Sequence, residues 1–599
     1  MRYVFAILTL LSTVAASTAP SQLDLRHYFA TASEEASSRA ALTAQVNAFD
    51  RSSPVMNADG LNAWLEKSDT LRAAIERHDI YVYLRAEEDT DDVADARADD
   101  AMSELEMGLD RRIESVIAGI GSSRIAAMVD SSPKLARYRY FLTQTLARAS
   151  HRLAPGEARA VAATVDPALS RTAASYKALR SAALAPSMEA ASTLVTRKAL
   201  FLMRWTPFIA HEDAFAAQLL AIVPLRNGVA RLQGFAGAPA AAYFAQSLSP
   251  AFVARTLAAV RASDALQRYH ETAALLAAAI LRVAPETVHV YDLDALSAFT
   301  PPAMTFEQAR ATILQAEQPM GDAYASAFAR LLDPGNARLE LCTDTRCDRT
   351  GFSVGFAGSE SGVYFGGYDG GIDRVRAVAH ESGHAVHRQF MNEHQPIAAY
   401  NQGPNFMFES FAIFNELLFW DHLFATATEA SQRIYYLNRF LDDATFQIFG
   451  SAQETDLEAQ IYAGADAGTL KTASDLDALT TRTLREYDPL LAAEPEARAY
   501  WARDSLYYTD PLYDVSYLYA GLLALAYFDE YERDRSTFAR NYVRLLSNGF
   551  DRSPADLERT FLGIDLGNEK ALVAGASALI VRRTQMLAAL GKSIGASPP

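Results

Sequence analysis

Several features common in other protein classes are rare or missing in this chain of 599 residues. It has only two cysteines and no long block of Lys or Arg. Two cysteines exclude a disulfide-rich scaffold. A net charge of −17, from 55 basic and 72 acidic residues, gives no reason to expect a nucleic acid or an anionic membrane as a partner. Beyond the N-terminus, no segment approaches 18 uninterrupted apolar residues. With 50% hydrophobic residues, the chain is expected to be globular, with a large core.

The N-terminus has the pattern of a secretory signal peptide. Arg2 supplies one positive charge, an apolar stretch runs from about Val4 to Ala16, and small residues follow as far as Ala19. The alternative is an ordinary buried N-terminal helix. We predict a signal peptide over residues 1–19 and therefore an exported protein, either periplasmic or secreted.

The two cysteines are Cys342 and Cys347, separated by four residues in polar, turn-like sequence. This spacing suits a short disulfide that closes a hairpin loop. A pair of thiolate metal ligands is the alternative. In an exported chain without other cysteines, the disulfide is the favoured interpretation.

The organisation of the chain indicates a mainly α fold with two lobes. Residues 20–295 are rich in Ala, with Leu, Val and Arg recurring at helical spacing, which predicts an N-terminal helical lobe. A non-helical, proline-bracketed passage near residue 290 predicts the join to a catalytic lobe over residues 296–599. Within that lobe, residues 338–370 are rich in Gly, Ser, Phe, Val and Tyr, which favours a few short strands.

The strongest functional signal is a His-Glu-x-x-His motif formed by His380, Glu381 and His384. Two His residues four positions apart lie on the same helical face, so both imidazoles can reach one zinc ion. Glu381 would then lie beside the open position of the metal, where it can take a proton from water. Chance would produce such a triplet only about 0.02 times in a chain of this composition.

A third metal ligand is expected on the apolar segment that follows. Glu409 and Glu416 lie seven residues apart there, on one face of a helix, and buried carboxylates need partners. We predict Glu409 as the third ligand of the zinc ion. Glu416 is expected to be either an outer partner of a ligating His or a member of a structural ion pair. His387 is expected to be packed or hydrogen-bonded rather than a fourth ligand.

With this spacing of His380, His384 and Glu409, and with the Asn-Glu-Leu-Leu run at 415–418, the chain resembles the thimet oligopeptidase and oligopeptidase F family of zinc metallopeptidases. The resemblance implies a mainly α, two-lobed metallopeptidase with a deep central cleft and a small β-sheet bordering the active site. It also implies one Zn²⁺ per chain, although manganese or cobalt could substitute. Such a cleft admits short peptides and excludes folded proteins.

The Tyr-rich segment near residue 510 both follows and departs from this family pattern. Tyr513 and Tyr517 fall on the family's Tyr positions and are expected to donate hydrogen bonds to the oxyanion. The family's His in this region is missing, since no histidine follows His422. Tyr507 or Tyr508 stands about where that His would be. An aromatic stripe that only packs one helix is the alternative.

The sequence therefore predicts a zinc-dependent endopeptidase that hydrolyses peptide bonds in short oligopeptides, with metal-activated water and Glu381 as the general base. One alternative is a dipeptidyl carboxypeptidase similar to the angiotensin-converting-enzyme family. Another is a zinc-stabilised peptide-binding protein without turnover. Neither nucleic acid nor a membrane is expected as a partner, and the chain is expected to be a monomer or homodimer.

Overall fold

The computed structural model describes residues 23–190, 197–342, 347 and 350–593. The predicted signal peptide, residues 1–19, lies outside these described residues. The first half of the described chain is helical. Its α-helices are α1 (Ala32–Asp50), α2 (Ala58–Glu88), α3 (Val93–Ile120), α4 (Ser122–Ser131), α5 (Pro133–Ala136), α6 (Arg139–Ala149), α7 (Pro155–Ala190), α8 (Arg197–Ala210), α9 (Glu212–Leu232), α10 (Ala238–Ala245), α11 (Pro250–Arg261) and α12 (Ala265–Leu281).

The second half adds three strands and the remaining helices. The strands are β1 (Leu339–Cys342), β2 (Gly351–Val354) and β3 (Gly362–Gly366). The helices are α13 (Phe306–Glu317), α14 (Asp322–Leu331), α15 (Ile372–His394), α16 (Asn405–Thr426), α17 (Ala430–Thr445), α18 (Ser451–Asp466), α19 (Ala473–Tyr487), α20 (Pro489–Ala492), α21 (Tyr500–Arg503), α22 (Leu506–Thr509), α23 (Asp514–Arg533), α24 (Arg535–Asn548), α25 (Pro554–Phe561) and α26 (Glu569–Ser593). Single 3₁₀ turns and one π-helical turn, Phe446–Gly450, connect several of them.

Local sequence accounts for several helix starts. At α13, the Thr305 hydroxyl accepts a hydrogen bond from the Gln308 amide, and the Gln308 side chain accepts one from the Thr305 amide. This reciprocal capping satisfies two amides that the helix leaves without partners. At α25, Ser553 caps the helix and Pro554 occupies its first position, where the missing N–H of proline costs nothing.

The strands form one small sheet in the order β1-β3-β2. β1 pairs with β3 in parallel, with Leu339 opposite Val363. β2 pairs with the other side of β3 in antiparallel fashion, with Gly351 opposite Phe365. Cys342, at the end of β1, is joined to Cys347 by a disulfide. The short strands over 338–370 and the favoured disulfide are thus confirmed.

Three helices position the functional side chains. α16 is buried on almost all sides and packs extensively against both α15 and α23. α15 and α16 come close at Gly383, because a Cβ added there would lie 2.4 Å from the Asn415 side chain and 3.1 Å from the Ala412 backbone. Only glycine allows the two helices to come this close. The side chains on their facing surfaces are thereby brought into contact.

The largest hydrophobic core runs from Tyr243 to Leu587 and contains α15, α16 and α23. A second core, built mainly by α1 to α6, also includes Tyr364 of the sheet and Tyr400. The division into lobes at residues 295 and 296 stays a prediction. Among the described residues, no single helix is both long and apolar enough to cross a membrane, although the bent pair α8 and α9 meets the length and composition criteria together.

Candidate metal centre

α15 and α16 bring the three predicted metal ligands together. One ligand atom from each of His380, His384 and Glu409 lies within 4.8 Å of the others. Glu409 Oε2 is 3.4 Å from His380 Nε2 and 3.7 Å from His384 Nε2. The helical face that carries the two His residues therefore points at the carboxylate predicted from the second helix.

The unsatisfied atoms in this cluster fit a metal ion. Within the described residues, His380 Nε2 and Glu409 Oε2 are both buried and have no hydrogen-bond partner. Buried polar atoms are nearly always paired, so two orphaned atoms that face each other call for a shared ligand. Two imidazole nitrogens and one carboxylate oxygen are the donor set of a catalytic zinc site that keeps one position open.

The electrostatics also favour a cation. Burial lowers the pKa of His380, but the carboxylates of Glu409 and Glu416 outweigh it and raise this pKa to about 10. Burial raises the pKa of Glu409, but the nearby imidazoles of His380 and His384 hold it well below its usual value. In the absence of metal, a proton on His380 thus balances the carboxylates, and a bound zinc ion would replace that proton.

Glu416 acts both as an outer partner and as an ion-pair member. Its Oε1 is 2.5 Å from His380 Nδ1, and its Oε2 accepts a hydrogen bond from Arg376. Arg376 Nε is also 3.7 Å from Asp443, which accepts a hydrogen bond from Trp420 Nε1 at 2.6 Å. This series of contacts fixes the orientation of the His380 ring, so that Nε2 faces the metal position.

Glu381 lies between the cluster and the sheet. Its side chain is 5% exposed, and a Cβ added to Gly351 of β2 would lie 3.0 Å from Glu381 Cγ. A larger residue at 351 would press on the predicted base, so the glycine lets the strand run directly beside it. The small sheet therefore borders the candidate site, as expected.

The two predicted phenol donors lie next to each other at the start of α23. The Tyr513 hydroxyl donates a hydrogen bond to Glu409 Oε1 at 2.9 Å. The Tyr517 ring packs edge-on against the Tyr513 ring, with 5.2 Å between centroids. Burial and the Glu409 charge raise the pKa of Tyr513 far above its usual value. Tyr513 is therefore a neutral donor at any ordinary pH, and here it holds a predicted metal ligand.

Three other aromatic residues considered from the sequence lie elsewhere. The hydroxyl of Tyr507 donates to the Glu454 carbonyl at 2.8 Å, and Tyr508 stacks on Tyr176 at 3.9 Å. Neither therefore takes the place of the missing family His at the metal centre. His387 packs edge-on against Phe411, and burial lowers its pKa well below the usual value, so it is a neutral packed histidine.

Sequence reasoning missed Arg376 and Asp443. Arg376 lies four residues before His380, one turn away on the same face of α15, and this spacing could have identified it. Asp443 belongs to α17 and meets the network only through tertiary packing, so no local pattern marks it.

Replacing Glu416 with Gln should weaken zinc binding by roughly 10- to 100-fold, because the ring of His380 loses its charged partner. Zinc affinity would be measured by competition with a chromogenic chelator. The control is Glu35→Gln, which alters another buried Glu–His pair, Glu35 with His78 at 2.8 Å. Equal losses in both variants, or none in Glu416→Gln, would contradict the orienting role.

Comparison with known proteins agrees with this geometry. The family model for peptidase family M3 matches residues 187–575, more than half of the chain. Oligopeptidase PepF of Bacillus subtilis (strain 168) is 23% identical over 297 residues, 48% of this chain and 42% of the relative. The chromosomal oligoendopeptidase F of Lactococcus lactis subsp. cremoris is 29% identical over 213 residues, 33% of this chain and 35% of the relative. The chain thus spans less than half the length of these curated relatives.

The fold has solved counterparts as well. The crystal structure of oligoendopeptidase-F from Enterococcus faecium superposes with a TM-score of 0.64 at 17% identity, covering 94% of this chain and 98% of the other. This likeness confirms the mainly α fold. Together with the family match, it confirms the resemblance stated from the motif: the chain belongs to peptidase family M3.

Proposed function

We propose that the protein is a zinc-dependent oligoendopeptidase that cuts peptide bonds within short peptides. The observation that carries this proposal is the convergence of His380, His384 and Glu409 on one point, with the buried Glu381 on the same helix as the two His residues. Membership of peptidase family M3 and the two oligopeptidase relatives support it. We further propose residues 296–599 as the catalytic lobe, no nucleic-acid or membrane partner, and a monomer or homodimer.

The proposed roles follow from the positions of the side chains. His380, His384 and Glu409 would hold the zinc ion, which supplies Lewis acidity for the scissile carbonyl and for water. Glu381 takes the proton of the attacking water on its carboxylate and later passes it to the leaving amine. Tyr513, whose hydroxyl otherwise holds Glu409, and Tyr517, whose ring packs against that of Tyr513, would donate hydrogen bonds to the developing oxyanion.

One feature supports extended peptides as substrates. β2 forms one edge of the sheet next to Glu381, and a strand edge can pair with an extended peptide backbone.

Replacing Glu381 with Gln should lower peptide cleavage by roughly 10²- to 10⁴-fold without loss of zinc, because the general base is removed and the ligands remain. A pool of peptides of mixed length would be incubated with each protein, with and without a chelator, and analysed by mass spectrometry.

Glu393→Gln is the matched control, since it alters an exposed carboxylate of the same helix, α15. Internal cuts that require both Glu381 and metal support the proposal. Stepwise loss of C-terminal dipeptides would indicate a dipeptidyl carboxypeptidase instead. Absence of cleavage by the zinc-loaded wild type would leave a peptide-binding protein.

Replacing Tyr513 with Phe should reduce kcat by roughly 10²-fold and leave KM nearly unchanged, because an oxyanion donor acts mainly in the transition state. Steady-state kinetics on one peptide found in the pool would measure this. Tyr519→Phe is the control, since it removes another buried phenol of α23, which is bonded to Thr256 at 2.9 Å. An unchanged kcat in Tyr513→Phe would limit Tyr513 to holding Glu409.

We also propose that the protein is exported, with residues 1–19 removed. The Arg2 charge, the apolar stretch and the small residues after it support this, and so does the Cys342–Cys347 disulfide, which suits an oxidising compartment. N-terminal sequencing of protein from the periplasm and medium of a bacterial host should find the shortened chain. A variant without residues 2–19 should stay in the cytoplasm. Full-length wild type confined to the cytoplasm would contradict export.

A further inference from the structure

A second group of carboxylates converges inside the protein, away from the three predicted zinc ligands. One oxygen from each of Glu454, Asp504 and Asp514 lies within 4.8 Å of the others. Their exposed fractions are 5%, 7% and 0%. Glu454 is on α18, Asp504 follows α21, and Asp514 is the first residue of α23. Three separate segments of the chain thus place negative groups at one buried point.

Asp514 is the member that most needs a ligand. Within the part of the chain that the structure describes, neither of its carboxylate oxygens has a hydrogen-bond partner, and both are buried. A fully buried carboxyl group without any partner is costly in either protonation state. Since one of its oxygens lies within 4.8 Å of oxygens of the other two residues, Asp514 is aimed into the cluster.

The other two carboxylates are held in place by protein donors. Glu454 Oε1 accepts a hydrogen bond from the Tyr500 hydroxyl at 2.5 Å, and Asp504 Oδ1 accepts one from the Leu506 amide at 2.9 Å. Both contacts orient the carboxylates without neutralising them. The positive charge of Arg503 opposes the rise in the pKa of Glu454 and of Asp504, so it offsets part of the negative charge.

Mutual repulsion within the cluster remains large. Burial and the neighbouring Asp504 raise the pKa of Glu454 to about 8. Burial, Asp504 and Glu454 raise the pKa of Asp514 well above its usual value. Glu458, one turn after Glu454 on α18, adds to this negative potential and is tied to the Leu512 amide through both of its oxygens. A divalent cation at the centre would relieve the repulsion.

We propose that Glu454, Asp504 and Asp514 bind a calcium ion, at a second metal site separate from the one at His380. The donor set contains only oxygen, which selects a hard cation, whereas zinc prefers sites with imidazole or thiolate. Calcium accepts irregular coordination by several carboxylates, while magnesium holds its water shell and demands near-octahedral geometry. A buried, all-carboxylate cluster from three segments therefore suits calcium.

The position of the site indicates what the ion does. It would tie α18 and the Asp504 segment to the first residue of α23. Tyr513, the residue before Asp514, donates to Glu409. The calcium ion would therefore hold the start of α23 in position. This inference does not depend on the proposed peptidase activity, because the site would exist in a protein without turnover.

The test is a direct count of bound calcium on the full-length, zinc-loaded protein. Equilibrium dialysis followed by elemental analysis should find about one calcium per chain at millimolar calcium. Glu454→Gln should raise the calcium dissociation constant at least about tenfold, because a charged ligand becomes neutral. Glu558→Gln is the matched control, since Glu558 is also buried and accepts a hydrogen bond from a phenol, Tyr527, at 2.6 Å.

Asp514→Asn provides a second variant should Glu454→Gln fail to fold, with circular dichroism as the check on folding. Calcium bound by wild type and Glu558→Gln, and weakened in a folded cluster variant, supports the site. Wild type that binds no calcium at millimolar concentration would overturn it, and so would equal weakening in Glu558→Gln. A parallel arm with magnesium that shows tighter binding than calcium would overturn the assignment of the ion.

Discussion

Two buried carboxylates on one apolar helix constrain how the residues at the centre of this protein are arranged. Glu409 and Glu416 project from α16, which is buried on almost all sides, and a buried carboxylate without a partner costs several kcal/mol. His380 of α15 contacts both carboxylates: its Nδ1 lies next to Glu416 and its Nε2 faces Glu409. Since one imidazole ring must meet two carboxylates, the positions of α15 and α16 along each other are fixed, and the remaining parts of the centre are arranged around this pair.

The neighbouring elements reach the pair through close contacts that specific residues permit. Gly383 lets α15 and α16 approach, and Gly351 lets β2 run beside Glu381. α23 joins through the hydrogen bond from Tyr513 to Glu409. α17 joins through Asp443 and Arg376. The centre is therefore over-determined by packing before any metal binds, as expected when metal affinity depends on ligands that are already oriented.

Much of this arrangement could be predicted from the sequence because its key spacings are local. The His380–His384 spacing is a property of one helix, and Glu409 could be inferred because a carboxylate on so apolar a helix needs a partner. The strands over 338–370 were also marked by composition. The target of Tyr513, the role of Asp443 and the Glu454–Asp504–Asp514 cluster could not be predicted, because each depends on how distant helices pack. Asp504 and Asp514 look like ordinary polar residues until α18 brings Glu454 beside them.

The two candidate metal sites differ in chemistry but share one stretch of backbone. The imidazole nitrogens of His380 and His384 would favour zinc, whereas the second cluster offers only oxygen and would favour calcium, so the two proposed ions would not compete for one site. Tyr513 donates a hydrogen bond to Glu409, and the adjacent Asp514 is a member of the second cluster. The start of α23 therefore contributes to both sites. An ion in the second cluster would therefore affect how readily the Tyr513 hydroxyl leaves Glu409. That ion would not itself contact any of the predicted zinc ligands. Because Tyr513 both holds Glu409 and is the proposed oxyanion donor, an ion in the second cluster would affect metal retention at the first site as well as the proposed turnover.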